Sequence, residues 1–493
     1  MEVRGVLLKG PDAPYVCSQV INGGWQLSAG HHPGRKEEDA ILADLAAYHG
    51  GGITTFDMGD IYTGVEALVG QLVRSKRRSG EGAASLVQIH TKFVPDLDAL
   101  LTIDAVHIRA VLARSCRRVG VVKLDLVQFH WWILEVGDFC ATAKLLAQVG
   151  LEEGYARRIG LTNFSCDDTA AMLDSAVPIA STQVQYSLLD RRVEARLVPM
   201  LEARRRSEDE RGGASEPCGE PCGEPSDGVL LLCYGVLAGG FLTKRWLGCE
   251  EPTMETLAAE HNRSLVKYKL VIDAAGGWSV LQTLLRAAQV IATRHEATIA
   301  QVAMAWVLRQ RLVASIIIGT RDAKWLPSTR AACTLARALD ESELATLRTI
   351  GVAPLPGAVY ELERDRSKGA WGEVMHYNLN QLLSASHVAE HAAALDAVAT
   401  SVRSSSHDAL DTVPSLSAAA FAALTLEAWL LEREAAAFAQ FQAQEMCEIA
   451  APIEKARAQL NALWEQIVAL GEREPRVAGA AVACARRRQR AER

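Results

Sequence analysis

Strand-like and helix-like segments alternate along most of the chain, and this alternation restricts the fold more than any other feature. Short runs of β-branched or aromatic residues, such as Ile53–Phe56, are each followed by apolar residues at helical spacing. Eight strands in this register over about 330 residues predict repeated βα units and a parallel sheet. No G-x-G-x-x-G motif follows the first strand, which favours a closed α/β fold, the (β/α)8 TIM barrel, over an open doubly wound sheet.

The order of the predicted elements also places one long connection at the mouth of the barrel. Residues Gly239 to Gly277 follow the seventh strand, where the carboxyl ends of the strands meet, and are expected to fold over a bound ligand. Thr298 is predicted to cap the helix Ile299–Arg309. The predicted strands are Val20–Ser28, Ile53–Phe56, Leu86–Thr91, Leu124–Phe129, Ala156–Leu161, Ala180–Tyr186, Val229–Tyr234 and Val313–Ile318.

Two segments depart from this alternation and set the expected domain boundaries. Residues 204–228 are polar and contain a CGEP repeat, which predicts a disordered insert at the face opposite the chemistry. Cys218 and Cys222 could bind a metal, but no His or second Cys pair lies near them in sequence, so no metal site is expected. The sequence predicts a barrel over 1–380 and an appended α-helical C-terminal region over 381–493, which is Ala-rich with a basic, disordered end.

Part of the C-terminal region repeats apolar residues at the spacing of a coiled coil. The repeat covers about three heptads. It suits a helical hairpin that packs on itself or on the barrel, and it also suits self-association or a protein partner. The apolar positions are Ile449, Ile453, Ala456, Leu460, Leu463, Ile467 and Leu470.

Composition argues against several functional classes. The formal net charge of -7 gives no reason to expect nucleic acid as a partner. The chain has 11 cysteines, scattered and without a CxxC pair, which favours reduced thiols in a reducing compartment. The amino-terminal residues lack the apolar core of a signal peptide, and no run of about 20 uncharged apolar residues offers a membrane span. A cytoplasmic protein is therefore expected.

Four residues that suit proton transfer lie at predicted strand ends or just beyond them: Asp57, Tyr62, Lys92 and His130. Each has an ordinary explanation by itself, as a turn cap, a packed aromatic, a solvated lysine or a core histidine. The carboxyl ends of barrel strands meet at one face, so the four side chains are expected to lie together.

A site of this kind would donate a proton to a substrate oxygen. Tyrosine has an ordinary pKa of about 10, and an adjacent ammonium, here Lys92, is expected to lower the pKa of Tyr62. Asp57 would hold the lysine, and His130 would orient a carbonyl oxygen that gains negative charge as hydride reaches carbon. The hydride has to come from a cofactor, because no side chain donates one.

The segments around these residues resemble the aldo-keto reductases. FDMGDIY, IHTKF, LVQFHW and RIGLTNF occur in that family's order and approximate spacing, and VQYSLLD, LCYGVLAGGFLT and IIIGTRD continue the likeness. The resemblance covers roughly Val20 to Arg337. A further stretch, Glu361 to Asn380, resembles the ending of one branch of the family.

The resemblance implies roles for particular residues. It implies Tyr62 as general acid, with the other three residues of the set as its partners. It implies that Asn163 and Gln183 hold the nicotinamide amide and that Tyr234 stacks on the nicotinamide ring. Further contacts with the cofactor, from the nicotinamide to the adenosine phosphate, are implied for Gly24, Trp25, Thr162, Gly235, Val236, Leu237, Gly319, Thr320, Arg321 and Lys324.

The sequence departs from the family at the adenosine end. Ser328 and Thr329 stand where an acidic residue and Asn usually contact adenine, and Trp325 stands at a commonly basic position. Arg321 and Lys324 are close enough in sequence to bind a 2′-phosphate. NADP(H) is the expected cofactor, with NAD(H) left open.

Two functions from different classes are compatible with this sequence. The leading expectation is an NADP(H)-dependent oxidoreductase, a carbonyl reductase or alcohol dehydrogenase acting on a small carbonyl or alcohol substrate. Trp131 and Trp132 are expected to line its substrate pocket, with plain barrel core as the alternative. The rival is a non-catalytic, nucleotide-sensing or scaffolding subunit that binds a partner through the C-terminal helices.

Overall fold

The computed structural model describes residues 5–8, 15–28, 37–78, 87–96, 99–212, 228–260, 262–319, 322–364 and 370–371, with residues 5–8 and 208–212 described by their backbone alone. Several predictions lie outside these residues. They are residues 213–227 of the insert, with Cys218 and Cys222, the cofactor contacts Thr320 and Arg321, and the C-terminal region with its coiled-coil repeat.

Eight parallel strands form a closed barrel, as the alternation of strands and helices predicts. The last barrel strand pairs with the first, with Ile316 opposite Val20, which closes the ring. A short antiparallel hairpin, which the sequence analysis does not predict, precedes the barrel. The described strands are β1 (Gly5–Leu8), β2 (Tyr15–Ser18), β3 (Val20–Gly23), β4 (Thr55–Asp57), β5 (Gln88–Phe93), β6 (Leu126–Phe129), β7 (Ile159–Thr162), β8 (Ile179–Gln185), β9 (Leu230–Tyr234) and β10 (Val313–Ile318).

Helices follow the strands and cover the outside of the barrel. Their boundaries agree with local capping signals, because the side chains of Asp104, Ser165, Thr298 and Asp340 each accept a backbone N–H of the first turn. The predicted cap at Thr298 is confirmed, with Gln301 completing a capping box. The helices are α1 (Glu38–Gly50), α2 (Val65–Arg78), α3 (Ala105–Val119), α4 (Phe139–Ala147), α5 (Cys166–Asp174), α6 (Arg192–Ala195), α7 (Leu197–Gly212), α8 (Met254–Ala259), α9 (Arg263–Ala274), α10 (Trp278–Arg294), α11 (Ile299–Leu308), α12 (Leu326–Ala338), α13 (Glu341–Thr349) and α14 (Glu361–Arg364).

The β1–β2 hairpin packs against the amino-terminal ends of the barrel strands. The Tyr15 hydroxyl lies 3.0 Å from His90 Nε2, and the Ser18 backbone N–H donates to Thr55 Oγ1. Burial lowers the pKa of His90 to about 4, so the imidazole inside the barrel is neutral at physiological pH. The hairpin therefore covers this end of the barrel, and the predicted site residues lie at the opposite end.

Three predicted segments differ from the structure. The first barrel strand ends at Gly23 instead of Ser28, because the chain turns into a 3-10 helix at Trp25–Leu27. The predicted disordered insert is wrong over residues 204–212, since α7 continues to Gly212. The connection Gly239 to Gly277 contains the helices α8 and α9 in addition to short turns.

The chain returns to the barrel mouth after α13. Residues 351–364, called the return segment below, run from α13 to the end of α14. Tyr360 within it has a left-handed backbone, with φ +61. In the part of the chain that the structure describes, no helix is long and apolar enough to cross a membrane, and no group of three or more His, Cys, Asp or Glu residues could hold a metal ion.

Candidate active site

A buried ion pair between neighbouring strands forms the centre of the site. Lys92 of β5 donates from Nζ to Asp57 Oδ2 of β4 at 2.5 Å and to the Met58 carbonyl at 2.8 Å. Both charged side chains are 5% exposed. The parallel pairing of β4 with β5 brings the two residues to the same edge. A pair this deeply buried has a large desolvation cost, so it needs a good fit and additional hydrogen bonds.

Two amides provide those additional hydrogen bonds. Gln128 Nε2 and Gln183 Nε2 donate to Asp57 Oδ1 at 2.6 and 2.8 Å, and Gln183 Nε2 also lies 2.7 Å from Gln128 Oε1. The sequence analysis does not single out Gln128. The sequence does contain a signal for it: Gln128 lies two residues before His130, and residues two apart in a strand point to the same face. The amides fix Asp57 in place, and Asp57 fixes Lys92.

Tyr62 lies against this pair, in the loop before α2. Lys92 Nζ is 4.8 Å from the centre of the Tyr62 ring, and Trp25 packs edge-on at 5.1 Å between ring centroids. The expectation that Lys92 lowers the pKa of Tyr62 is wrong. Burial, reinforced by the negative charges of Asp57 and Asp60, raises the pKa of Tyr62 well above its ordinary value. The ammonium is committed to Asp57, and burial lowers its own pKa.

His130 directly follows β6 and completes the set of four. Its Nδ1 lies 3.3 Å from the Thr162 carbonyl, and the carbonyl can only accept, so Nδ1 carries the proton of this hydrogen bond. A neutral imidazole then presents Nε2 as an acceptor, whereas an imidazolium donates from both nitrogens. Its ring packs edge-on against Trp132 at 4.6 Å and against Tyr360 at 5.7 Å.

The residues expected around a nicotinamide amide lie directly after β7 and on β8 and β9. The Tyr234 hydroxyl donates to Asn163 Oδ1 at 2.9 Å, and Asn163 adopts a left-handed backbone with φ +65. Within the described residues, this leaves the Asn163 NH2 as a donor and Gln183 Oε1 as an acceptor without a hydrogen bond. A primary carboxamide accepts through its oxygen and donates through its NH2, so the two remaining groups complement it. Thr162 Oγ1 is buried and has no hydrogen-bond partner among the described residues.

The remaining predicted cofactor contacts lie where the strands end. Gly24 follows β3, and its N–H donates to the Asp57 carbonyl at 2.7 Å. Gly235 has φ +71, and a Cβ there would overlap the Tyr268 hydroxyl, so the backbone after β9 passes close to α9. The Val236 side chain is buried, and Leu237 is half-buried. Gly319 follows β10 directly.

The adenosine end carries an ion pair of its own. Lys324 Nζ pairs with Asp322 Oδ2 at 2.9 Å and lies 5.3 Å from the centre of the Trp325 ring. Trp325, at the position that is commonly basic, is 56% exposed. Thr329, in contrast, is buried and donates its hydroxyl to the Trp325 carbonyl. The pairing with Asp322 reduces the positive charge that Lys324 offers to a phosphate.

The two tryptophans expected in the substrate pocket have different environments. Trp131 is completely buried and donates its indole N–H to the carbonyls of Ile133 and Val136. These contacts fit the alternative of a core residue. Trp132 is half-buried, contacts His130, and donates to the Pro95 carbonyl at 2.7 Å. Its position beside His130 suits a wall of the pocket.

The return segment adds residues that the sequence analysis did not assign to the site. Arg364 donates to the carbonyls of Trp131 and Trp132, which follow His130 in the chain. It also donates to the carbonyl of Asn163, which follows β7. Glu363 is buried against Arg192. The order of motifs gave a signal that Glu361 to Asn380 belongs with the barrel, but it gave no partner for any of these side chains.

Known protein families and proteins are similar to this chain. A model of the Aldo/keto reductase family matches residues 19–205 and 214–351. A protein named probable aldo-keto reductase 1 of Glycine max is 26% identical over 341 residues, which are 68% of this chain and 86% of that protein. Flagellar radial spoke protein 5 of Chlamydomonas reinhardtii is 27% identical over 278 residues, but these are 50% of this chain and 47% of that protein.

A solved structure gives the same fold. The glycerol dehydrogenase of Gluconobacter oxydans matches with a TM-score of 0.53 at 20% identity, over 72% of this chain and 98% of its own. At this identity the likeness supports the (β/α)8 barrel alone. The family model covers well over half of the sequence, including all four residues of the predicted catalytic set. The chain therefore belongs to the aldo/keto reductase family.

Proposed function

We propose that this protein is an NADP(H)-dependent oxidoreductase that reduces an aldehyde or ketone to an alcohol, or catalyses the reverse reaction. The observation that carries the proposal is the buried Lys92–Asp57 pair, whose ammonium faces the ring of Tyr62 at the barrel mouth. Isolated buried charges are costly, and functional sites are where such costs are retained. Membership of the family supports the same class of reaction.

The residues of the site suit a nicotinamide cofactor. Bound NADPH would supply the hydride, and NADP+ would accept one. Asn163 and Gln183 would hold the carboxamide through the donor and acceptor groups that their other contacts leave available. Tyr234 would pack on the nicotinamide ring, and the backbone of Gly235–Leu237 would lie along the pyrophosphate. Lys324, with Arg321, is the proposed contact for the 2′-phosphate.

Tyr62 is the proposed proton donor in the reduction. As hydride reaches the carbonyl carbon, the C–O double bond becomes single, and the oxygen takes the phenolic proton. Tyr62 is left as a phenolate, which the Lys92 ammonium stabilises. The high pKa of Tyr62 keeps the phenol protonated before the reaction, so the charge of Lys92 matters most in the transition state. In the oxidation, the phenolate takes the proton back from the alcohol.

His130 is the proposed orienting residue. As an imidazolium it would donate from Nε2 to the carbonyl oxygen, and as a neutral ring with Nδ1 protonated it would accept from the alcohol hydroxyl. Trp132 and Tyr360 pack against the ring and limit its rotation. Both substrate forms could therefore be oriented from the same position.

The second candidate is a structural, non-catalytic subunit. The resemblance to a protein named flagellar radial spoke protein 5 favours it, because that name describes a part of an assembly. The matching region covers less than half of that relative. In this second reading, the barrel binds nucleotide and a partner binds elsewhere on the chain.

Titration of the purified full chain with NADPH and NADH, followed by fluorescence, is the decisive first experiment. Each titration is repeated with a panel of aldehydes while nucleotide oxidation is recorded. We expect tighter binding of NADPH, oxidation when an aldehyde is added, and loss of oxidation in Tyr62→Phe with nucleotide binding retained. Tyr155→Phe removes the same atom from a tyrosine outside the site and serves as the matched control.

Two outcomes would contradict the catalytic proposal. Tight NADPH binding without turnover on any aldehyde or alcohol would favour the structural subunit. Full turnover in Tyr62→Phe would remove Tyr62 from the role of proton donor.

A further inference from the structure

Lys267 of α9 is a cation at the barrel mouth whose ammonium lies among aromatic rings. Its Nζ lies 5.4 Å from the ring centre of Tyr234, 5.3 Å from that of Tyr268 and 6.0 Å from that of Tyr360. Three aromatic rings and a half-buried position remove it from much of the solvent. Among the described residues, no carboxylate lies within ion-pair distance of Nζ. Buried or half-buried charges are normally paired, so this arrangement is incomplete without an anion.

The nearest acids are committed to another cation. Both carboxylate oxygens of Glu363 accept from Arg192, at 2.8 and 3.1 Å. Asp190 accepts from Arg192 and from Gln185. Lys267 thus shares Glu363 and Asp190 with Arg192, which holds their oxygens in hydrogen bonds. Burial lowers the pKa of Lys267, and the nearby charge of Arg192 adds to this, whereas Glu363 and Asp190 oppose it.

The position of α9 places Lys267 beside the end of β9. Tyr268, next to Lys267, packs so closely on Gly235 that a Cβ there would overlap its hydroxyl. Ser264 and Tyr268 also lie against Gly239. The helix therefore lies over the turn that begins at Tyr234, with Lys267 above the ring of that tyrosine. An anion at this place would meet an ammonium and backbone N–H groups together.

We infer that Lys267 binds the pyrophosphate of a dinucleotide cofactor and compensates part of its negative charge. The inference rests on the proposed function and adds to it a residue from the long connection, which makes α9 a part of the cofactor site. A dianionic pyrophosphate beside Tyr234–Leu237 would give the Lys267 ammonium a partner at ion-pair distance. It would also raise the pKa of Lys267, so that binding at alkaline pH takes up protons.

The test compares ligands with and without the pyrophosphate by calorimetric titration of the full chain. NADPH and 2′-phospho-ADP-ribose contain the pyrophosphate, and 2′,5′-ADP does not. Lys267→Met is expected to weaken the binding of the first two by about tenfold or more and to leave 2′,5′-ADP unchanged. Lys267→Arg should restore most of the affinity, because it keeps the charge. Titrations in buffers of different ionisation enthalpy should show proton uptake in the wild type and its loss in Lys267→Met.

A control on the same helix separates this effect from a general loss of charge. Lys269 is already paired with Glu251 and Asp273, so Lys269→Met removes an ammonium whose charge is compensated. It should leave the affinity ratio between NADPH and 2′,5′-ADP unaltered. The ligand-free melting temperature of each variant is measured as well, so that a loss of affinity is not mistaken for a loss of fold.

Four results would overturn the inference. The first is an unchanged NADPH affinity in Lys267→Met, and the second is an affinity loss for 2′,5′-ADP as large as that for NADPH. The third is a raised KM of Lys267→Met for a carboxylated aldehyde while its NADPH affinity is unaltered. The fourth is a wild-type protein that binds neither NADPH nor 2′-phospho-ADP-ribose. The third would mean that Lys267 binds an anionic group of the substrate instead of the cofactor pyrophosphate. The fourth would also remove the proposed function, whereas nucleotide binding that depends on Lys267 without turnover would remove the proposed function alone.

Discussion

Arg192 and Glu363 lie 171 residues apart in the chain and form a doubly hydrogen-bonded ion pair in which the two side chains are 3% and 0% exposed. Arg192 precedes α7 on the barrel, and Glu363 belongs to α14 at the end of the return segment. The pair therefore fastens this segment to the start of α6, the helix that follows β8. Tyr360 and Arg364, which contact His130 and its neighbouring carbonyls, depend on that fastening.

Replacing Glu363 should destabilise the whole barrel. Glu363→Gln leaves the Arg192 guanidinium only partly compensated by Asp190, and removing one partner of a buried pair costs roughly 3–5 kcal/mol. Urea denaturation of the wild type and the variant measures the difference. Asp167→Asn breaks an ion pair of similar geometry with Arg196, but that pair is exposed, and it should change the free energy of unfolding little. Equal stability of the two variants would contradict the prediction.

Asp60 should make stability depend on pH. Burial raises the pKa of Asp60 from its ordinary 3.8 to about 8, so the folded protein holds a proton that the unfolded chain has released between these values. The contribution of this proton to the free energy of unfolding is complete below pH 3.8 and is lost as pH rises through about 8. Asp60→Asn keeps the neutral form at every pH. Its melting temperature should rise relative to the wild type with increasing pH, by several degrees in total.

The measurement for Asp60 is a series of thermal melts across this range. Glu135→Gln removes one negative charge from an exposed position and therefore controls for the change in net charge. Melting curves that stay parallel for wild type and Asp60→Asn at all pH values would show that the carboxyl does not titrate in this way.

Lys92 should set the alkaline limit of carbonyl reduction. Burial lowers the pKa of Lys92 below its ordinary 10.5, and loss of its proton removes the charge that stabilises the Tyr62 phenolate. The value of kcat/KM for reduction should therefore fall at a lower pH than an ordinary lysine would give. Lys92→Met should reduce kcat by about 100-fold or more at neutral pH. An unaltered pH profile in Lys92→Met would assign the alkaline limit to another group.

At position 360, a glycine variant should be more stable than an alanine variant, which is the reverse of their usual order. Its φ of +61 lies in the left-handed region, where a Cβ costs about 1–2 kcal/mol and glycine has no such cost. Both Tyr360→Ala and Tyr360→Gly lose the ring that packs on His130, so comparing them isolates the backbone. Tyr360→Gly should be the more stable by about 1 kcal/mol in chemical denaturation. A more stable alanine variant would mean that the segment relaxes when the ring is removed.

The barrel could be predicted from local patterns because each strand and helix carries its own signal. Val313–Ile318 is a run of β-branched residues around Ala and Ser, and its predicted bounds are those of β10. Thr298 and Gln301 form a capping box within four residues. The position of the candidate site follows from the same patterns, since parallel pairing brings Asp57 and Lys92 to one edge.

The contacts of the return segment could not be predicted in this way. Arg364 contacts carbonyls more than 200 residues earlier in the chain, and Tyr360 contacts a histidine 230 residues before it. Local periodicity contains no information on such partners. The predicted direction of the Tyr62 pKa shift was wrong for a related reason. The effect of Lys92 on Tyr62 depends on its ion pair with Asp57 and on burial, and spacing in sequence gives neither.

The pairing of β3 with β10 has a consequence for how the protein is made. Ser315 of the last strand donates its hydroxyl to the carbonyl of Ser18, 297 residues earlier, at the join between them. During synthesis, β3 leaves the ribosome early and keeps an unpaired edge until β10 emerges. A nascent chain that stops before Val313 exposes two open edges, at β3 and β9, and is prone to aggregate. Ring closure is thus a late event in biogenesis, and chaperones have most opportunity to act while the barrel is still an open sheet.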